Sequence, residues 1–156
     1  MIIRMLQGAW AADVRRIKAN QPILGQRKDL LEFMFGSERE PLNVYQPILM
    51  DVQEGGCLYC RRAIRKSAAV DHFIPWARYP MDLGHNFVLA HAKCNLHKSS
   101  HLAGLPHLES WLERNADSVG LMAEQFDAKG IVHDMDSSVQ IAHWAYGQAA
   151  VADGLL

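Results

Sequence analysis

Asp71 and His72 stand side by side in the run Val70-Asp71-His72-Phe73-Ile74-Pro75, and polar residues follow at Asn86, Asn95 and Lys98. A carboxylate is a hard oxygen ligand, suited to Mg²⁺ or Mn²⁺. A neutral imidazole titrates near neutrality and can take a proton from water. With Asp71 at the end of a strand, the two side chains are expected to flank one site, the carboxylate on a metal and the imidazole on a water. Asn95 offers an amide oxygen as a second hard ligand. Asn86 opens a strand, where its side chain can bond loop backbone and hold the His72 loop in register. Lys98 follows Asn95 by about one helical turn and can meet a phosphate. Taken alone, Asp-His-x-x-Pro also fits a strand-end turn with a buried acid–histidine pair. The company of Asn86, Asn95 and the cysteines weighs for chemistry.

Cys57-x-x-Cys60 and His91-x-x-Cys94 bracket this constellation. Thiolate and imidazole suit a borderline-soft ion, and ligands three apart can share one zinc from a turn. Such an ion would tie the loop before one strand to the turn after the next. All three cysteines of the chain fall at these paired positions, which argues against their being merely small buried hydrophobes. A redox Cys-x-x-Cys would need a strand-then-helix context that is missing. His97 and His101 are four apart; they read as a solvated helix face, with a second metal site or replacement of Asn95 as the alternative.

The elements that must position these residues follow from periodicity. Residues 3–19 carry apolar side chains at helical spacing, broken by Asn20-Gln21-Pro22. Residues 27–35 predict a second helix, and Pro41 can open a third over 42–54, ended by Gly55-Gly56. Cys57 to Cys60 reads as a tight turn. Ala68 to Ile74 is β-leaning and stops at Pro75. Phe87 to Ala90 is a second short strand, and 92–101 a helix. Pro106 opens a helix through about Asn115, Leu121 to Phe126 lie in another ended at Gly130, and Ser137 or Ser138 can cap a last one through Ala152. Strand, loop, strand, helix, set among helices, is α+β by element order. The expected division is a helical region over 1–54, a core over 55–104 and a C-terminal helical region over 105–156.

The chain has 156 residues, 49% apolar and 21% charged, which fits an ordinary globular domain able to bury a core without disulfides. No apolar run approaches the ~20 residues of a membrane helix. The first residues are too quickly interrupted for a secretory signal. Few cysteines, in metal-ligand pairs, fit a reducing compartment, so a cytoplasmic location is expected. Net charge is −1, yet residues 1–106 hold fourteen Lys/Arg against nine Asp/Glu, and 107–156 hold two against eight. A polyanion should approach the first part and avoid the tail. Arg61, Arg62, Arg65 and Lys66 directly follow Cys60, and Arg78, Lys93 and Lys98 lie in the same third. Such a set can neutralise phosphates with steep salt dependence. Trp76, Arg78 and Tyr79 can stack on bases, although Trp76 reads more readily as core. Trp111, Leu112, Trp144 and Tyr146 in the acidic tail read as packing, with a protein-contact or dimer surface as their functional reading. The uncapped start at Ile3 points to a piece of a longer protein or a chain that docks on one.

Val70 to Pro75, then His85-Asn86-Phe87-Val88-Leu89, then Cys94-Asn95-Leu96-His97-Lys98 together resemble the HNH nucleases. The flanking cysteine and histidine pairs resemble the zinc-binding variant of that family. The resemblance covers about residues 55–100 and implies a ββα-metal fold that cleaves phosphodiester bonds in DNA. It implies His72 as general base, Asp71 and Asn95 as ligands of a catalytic Mg²⁺ or Mn²⁺, and Asn86 as the loop-orienting residue. It further implies 5′-phosphate and 3′-hydroxyl ends, and by analogy a setting in bacterial or phage restriction or defence. The third signature position is Asn95 in place of histidine, and the third zinc position is His91 where cysteine is usual. The competing reading is a zinc-stabilised nucleic-acid-binding or adaptor module without catalysis, which needs only the cysteines. An RNA-directed nuclease is a third.

Overall fold

A computed structural model describes residues 12–18 and 42–152. Most of the helix expected over 3–19, all of that over 27–35 and the role of Pro41 lie outside the described residues; 12–16 are helical. The described elements after these are a 3₁₀ turn (Leu42–Val44), α1 (Gln46–Val52), β1 (Ala68–His72), a 3₁₀ turn (Gly84–Asn86), β2 (Phe87–His91), α2 (Ala92–Lys98), α3 (Leu105–Asp117), α4 (Val119–Ala128) and α5 (Met135–Ala152). The helix expected over 42–54 is thus split at Tyr45, with Pro47 in the first turn of α1, where its missing N–H costs nothing. Gly55, at φ +69, then takes the left-handed turn that ends it.

β1 and β2 pair antiparallel, with Ala68 opposite His91, Asp71 opposite Val88 and His72 opposite Phe87. β1 stops at His72, two residues short of expectation. Asn86 replaces the ladder there: its Oδ1 accepts from Ile74 N at 2.8 Å and its Nδ2 donates to Ile74 O at 3.0 Å. Phe73 N donates to Asn86 O at 2.8 Å. The turn before β2 is therefore laced to the exit of β1 by one amide side chain.

Four of the five β2 residues are buried. Phe87 and Leu89 pack in one core with Tyr45, Ile48, Leu49, Met122 and Phe126, from α1 and α4 and the turn before α1. Val88 packs in the other with Phe73, Leu83, Trp111, Ile141 and Ala145, chiefly from the loops, α3 and α5. Period-2 alternation sends neighbouring residues to opposite faces, and both faces here are covered. That is why Phe87 to Ala90 reads as an unbroken apolar run. In the acidic tail Trp111 is fully buried and stacks on Phe73 at 5.0 Å, while Leu112, Trp144 and Tyr146 are partly buried against the same core.

α3 does more than cover the sheet. Trp111 Nε1, Arg114 Nη2 and Asn115 Nδ2 all donate to the His85 carbonyl, at 3.1, 3.2 and 3.3 Å, and Arg114 Nη1 donates to Phe87 O at 3.1 Å. Burial pulls the Arg114 pKa down to about 9, so the guanidinium still carries its charge at neutral pH. These donors clamp the backbone on both sides of Asn86. Gly84, in the same turn, lies against Phe126: a Cβ there would sit 2.7 Å from its ring. The cap of α5 is neither Ser137 nor Ser138. Asp134, just before the helix, accepts from Ser137 N at 2.8 Å, since a carboxylate one residue ahead of the first turn reaches an orphan N–H that a side chain inside the turn cannot.

His85 is buried, with no partner for either ring nitrogen among the described residues, and packs on Phe126 and His133 at 5.4 and 5.5 Å. Burial, aided by His133 and Arg114, lowers its pKa to about 4. The unfolded chain therefore takes up this proton near pH 6.5 and the native state only near 4. Stability is full above 6.5 and declines as pH falls between these values. We expect the melting temperature to drop across that window, and His85→Leu to flatten the drop; parallel pH–melting curves of the two proteins would contradict the assignment.

Candidate functional site

Cys57, Cys60, His91 and Cys94 bring their ligand atoms within 4.8 Å of one another, the one such His/Cys/Asp/Glu cluster among the described residues. His91 Nδ1 lies 3.3 Å from Cys60 Sγ and 3.9 Å from Cys94 Sγ. Tetrahedral zinc with ordinary bond lengths needs S···N of about 3.6 Å and S···S of about 3.8 Å, so the set fits the ion with small adjustments. Each ligand is placed by the fold. Cys57 and Cys60 sit in a turn closed by Arg61 N to Cys57 O (2.9 Å) and Cys57 N to Arg62 O (3.0 Å). His91 ends β2, and Cys94 is in the first turn of α2. Supporting contacts are present too. His91 Nε2 faces Ala63 O at 3.3 Å, leaving Nδ1 as the ligand nitrogen, and His91 N donates to Cys57 Sγ at 3.4 Å. The Arg62 backbone N–H pulls the Cys60 thiol pKa down, whereas burial and the adjacent thiols push Cys94 up to about 11. His97 and His101 do not join a second cluster of this kind among the described residues. They border a groove of about 590 Å³ between α2 and the start of α3, with Tyr59, Lys93, Lys98 and His107.

Asp71 is buried in β1, and its partners converge on one oxygen. Tyr59 Oη donates to Oδ2 at 2.6 Å, and Lys98 Nζ lies 3.1 Å from the same atom. Lys98 also donates to the His72 carbonyl at 2.9 Å. Lys98, expected to meet a phosphate, thus has its partners inside the protein and is only 8% exposed. Burial draws its pKa down, and the Asp71 carboxylate partly restores it. Asn95 is half-buried on α2, three residues before Lys98.

His72 meets different neighbours. Consecutive strand residues face opposite ways, and its ring packs on Phe87 at 4.5 Å and edge-on to Trp76 at 5.5 Å. Its Nε2 lies 2.7 Å from Asp82 Oδ1, with both side chains largely buried. The two neighbours in sequence are thus linked through Lys98, which spans from the Asp71 carboxylate to the His72 backbone, and not by a shared side-chain partner. Asp82 was missed in the sequence; its one signal was a carboxylate in the loop between His72 and Asn86. Tyr59 was missed as well, since its position between two cysteines reads only as turn filler. Arg61, Arg62, Arg65, Lys66, Arg78 and Lys93 are exposed. Arg61 donates to Ser110 Oγ. Tyr79 is 4% exposed and packs in the core, so it is not a stacking platform; Trp76 is half-buried against His72.

Comparison with known proteins matches residues 57–101 to the HNH endonuclease family model. No curated protein matches the chain. Among solved structures, the Type II-C Cas9 enzyme from Actinomyces naeslundii is similar at a TM-score of 0.41 and 19% identity, over 88% of this chain. This chain spans only 15% of that one. No described helix is long and apolar enough to cross a membrane. The HNH endonuclease family model falls on a two-stranded antiparallel sheet followed by a helix, with a Cys₃His cluster beside them, and residues 57–101 of this chain are similar to that family.

Proposed function

We propose that the chain is a divalent-metal-dependent DNA endonuclease, with Asp71 and Asn95 holding one Mg²⁺ or Mn²⁺ and His72 as general base. The observation that carries this reading is the ion pair of Lys98 with Asp71. Asn95 and Lys98 are three apart on α2, so the helix face that reaches the carboxylate also bears the amide. Carboxylate and amide oxygens are the donors a hard cation takes. Such a cation would supply Lewis-acid stabilisation of the charge that builds on the phosphate and the departing oxygen.

The proton work falls to His72. A carboxylate only accepts, so Asp82 fixes the proton on Nε2 and leaves Nδ1 as the lone-pair nitrogen. The ring takes a proton from the attacking water, and Asp82 offsets the charge the imidazole gains. Asn86 holds the strand exit that carries the ring. Arg61, Arg62, Arg65, Lys66, Arg78 and Lys93 neutralise the DNA backbone, and binding weakens as salt rises. Lys98 leaves that set and balances Asp71. A cytoplasmic setting in restriction or defence belongs to the same reading by analogy.

Plasmid incubation tests it. Cleavage is expected with Mg²⁺ or Mn²⁺, none with EDTA, and a loss of ~10²–10⁴-fold in His72→Ala. Binding without cleavage under all metals would favour a zinc-stabilised adaptor. Preference for single-stranded RNA offered beside duplex DNA would redirect the substrate.

A further inference from the structure

Tyr59 lies inside the Cys57-x-x-Cys60 turn, yet its hydroxyl reaches out of that turn to Asp71 Oδ2 at 2.6 Å. Lys98, one helical turn after Cys94, reaches the same oxygen from α2, whereas Tyr59 does so from between Cys57 and Cys60. The turn itself is rigidly placed. Leu58 N donates to Leu89 O at 3.0 Å, and Arg61 takes a left-handed backbone at φ +61 directly after Cys60. The ring is wedged between the His107 edge, at 5.6 Å, and Lys98 Nζ, 6.0 Å from its centroid. A carboxylate only accepts, so the phenolic O–H is the donor in this bond. Tyr59 and Lys98 both occupy Oδ2, and among the described residues no side chain donates to Oδ1. Asp71 keeps 9% exposure.

We propose that Tyr59 is a positioning residue that couples the zinc turn to the catalytic metal site: anchored between two zinc ligands, it pins Asp71 Oδ2 and so presents Oδ1 to the incoming cation. The zinc then acts beyond stability. Its loss releases the turn, the hydroxyl leaves Asp71, and the carboxylate loses the orientation that a divalent ion needs. Outer-shell partners of this kind typically contribute 10–100-fold in metal affinity. This inference rests on the assignment of Asp71 to the catalytic cation.

The test is Mn²⁺ affinity by electron paramagnetic resonance, together with bound zinc by elemental analysis, for the intact chain, Tyr59→Phe and Asp71→Asn. Phenylalanine keeps the ring and removes only the donor. Tyr59→Phe is expected to keep one zinc per chain and to bind Mn²⁺ 10–100-fold more weakly. Retained zinc with unchanged Mn²⁺ affinity would overturn the coupling. Lost zinc in Tyr59→Phe would overturn it too, since the hydroxyl would then serve the turn itself. Equal Mn²⁺ affinity in the intact chain and Asp71→Asn would instead bring down the metal assignment beneath it. The two failures are therefore distinguishable.

Discussion

Cys60→Ser is expected to bind less than one zinc per chain and to melt about 10–20 °C below the unaltered protein. Structural zinc supplies apparent binding energies of ~10–16 kcal/mol in small zinc modules, against a typical net stability of ~5–15 kcal/mol for a whole domain. A hairpin held by zinc alone would unfold outright. This one is buttressed on both faces: β2 is shared by two cores, and α3 clamps the backbone around Asn86. The loss should therefore be partial, on the order of 5 kcal/mol, which at ~2–4 °C per kcal/mol for a chain of this size gives the stated shift. The damage should centre on the 56–63 turn, which is closed on itself by the Gly56–Ala63 bridge and is tied to its surroundings by few bonds, among them Gln53 Nε2 to Gly56 O, Leu58 N to Leu89 O, Tyr59 Oη to Asp71 Oδ2 and Arg61 to Ser110 Oγ. Circular dichroism melts with elemental analysis check it. A serine variant that melts with the parent while lacking zinc would show that the cluster bears no load.

Asn95→Ala is expected to do the opposite: leave zinc and melting almost unchanged and remove cleavage. Asn95 is half-buried on α2, three residues before Lys98, and belongs to neither core. Withdrawing one of two protein ligands sacrifices part of the several kcal/mol of charge stabilisation that a cation gives. At 1.36 kcal/mol per decade, that is a fall of about 10²–10⁴ in rate. His72→Ala should fall in the same range, and the double variant should lose little more than either alone, because residues acting as one unit are not additive. Single-turnover cleavage beside thermal melts separates the cases. Equal, large losses of stability in Asn95→Ala and Cys60→Ser would mean that Asn95 belongs to the scaffold.

The order strand, turn, strand, helix was legible in the sequence because each local signal agreed with its tertiary setting. Phe87 to Ala90 is apolar on both faces and is buried on both. Pro106 opens α3, and Gly130 ends the segment after α4. The Cys₃His cluster was legible because a zinc site needs fixed short spacings. What failed to show has a common physical cause. Asp82, Tyr59 and Arg114 act through contacts made at long range in sequence, and their types are commonplace on surfaces. Lys98 illustrates the same limit. Its helical offset from Asn95 was readable, but its partner was not, since only the packing of α2 on β1 puts a carboxylate in reach and takes the amine out of solvent. β1 ended early because a side chain, Asn86, took over hydrogen bonds that a propensity scan gives to backbone.

In the proposed site Asp71 and Asn95 grip one hard cation. Anomalous diffraction from crystals of the zinc-loaded protein soaked in Mn²⁺ tests it most directly. A second peak is expected, apart from the zinc at Cys57, Cys60, His91 and Cys94, with Asp71 Oδ1 and the Asn95 amide oxygen both at about 2.2 Å. Manganese bound only elsewhere, or touching Asp71 with the Asn95 amide turned away, would contradict it.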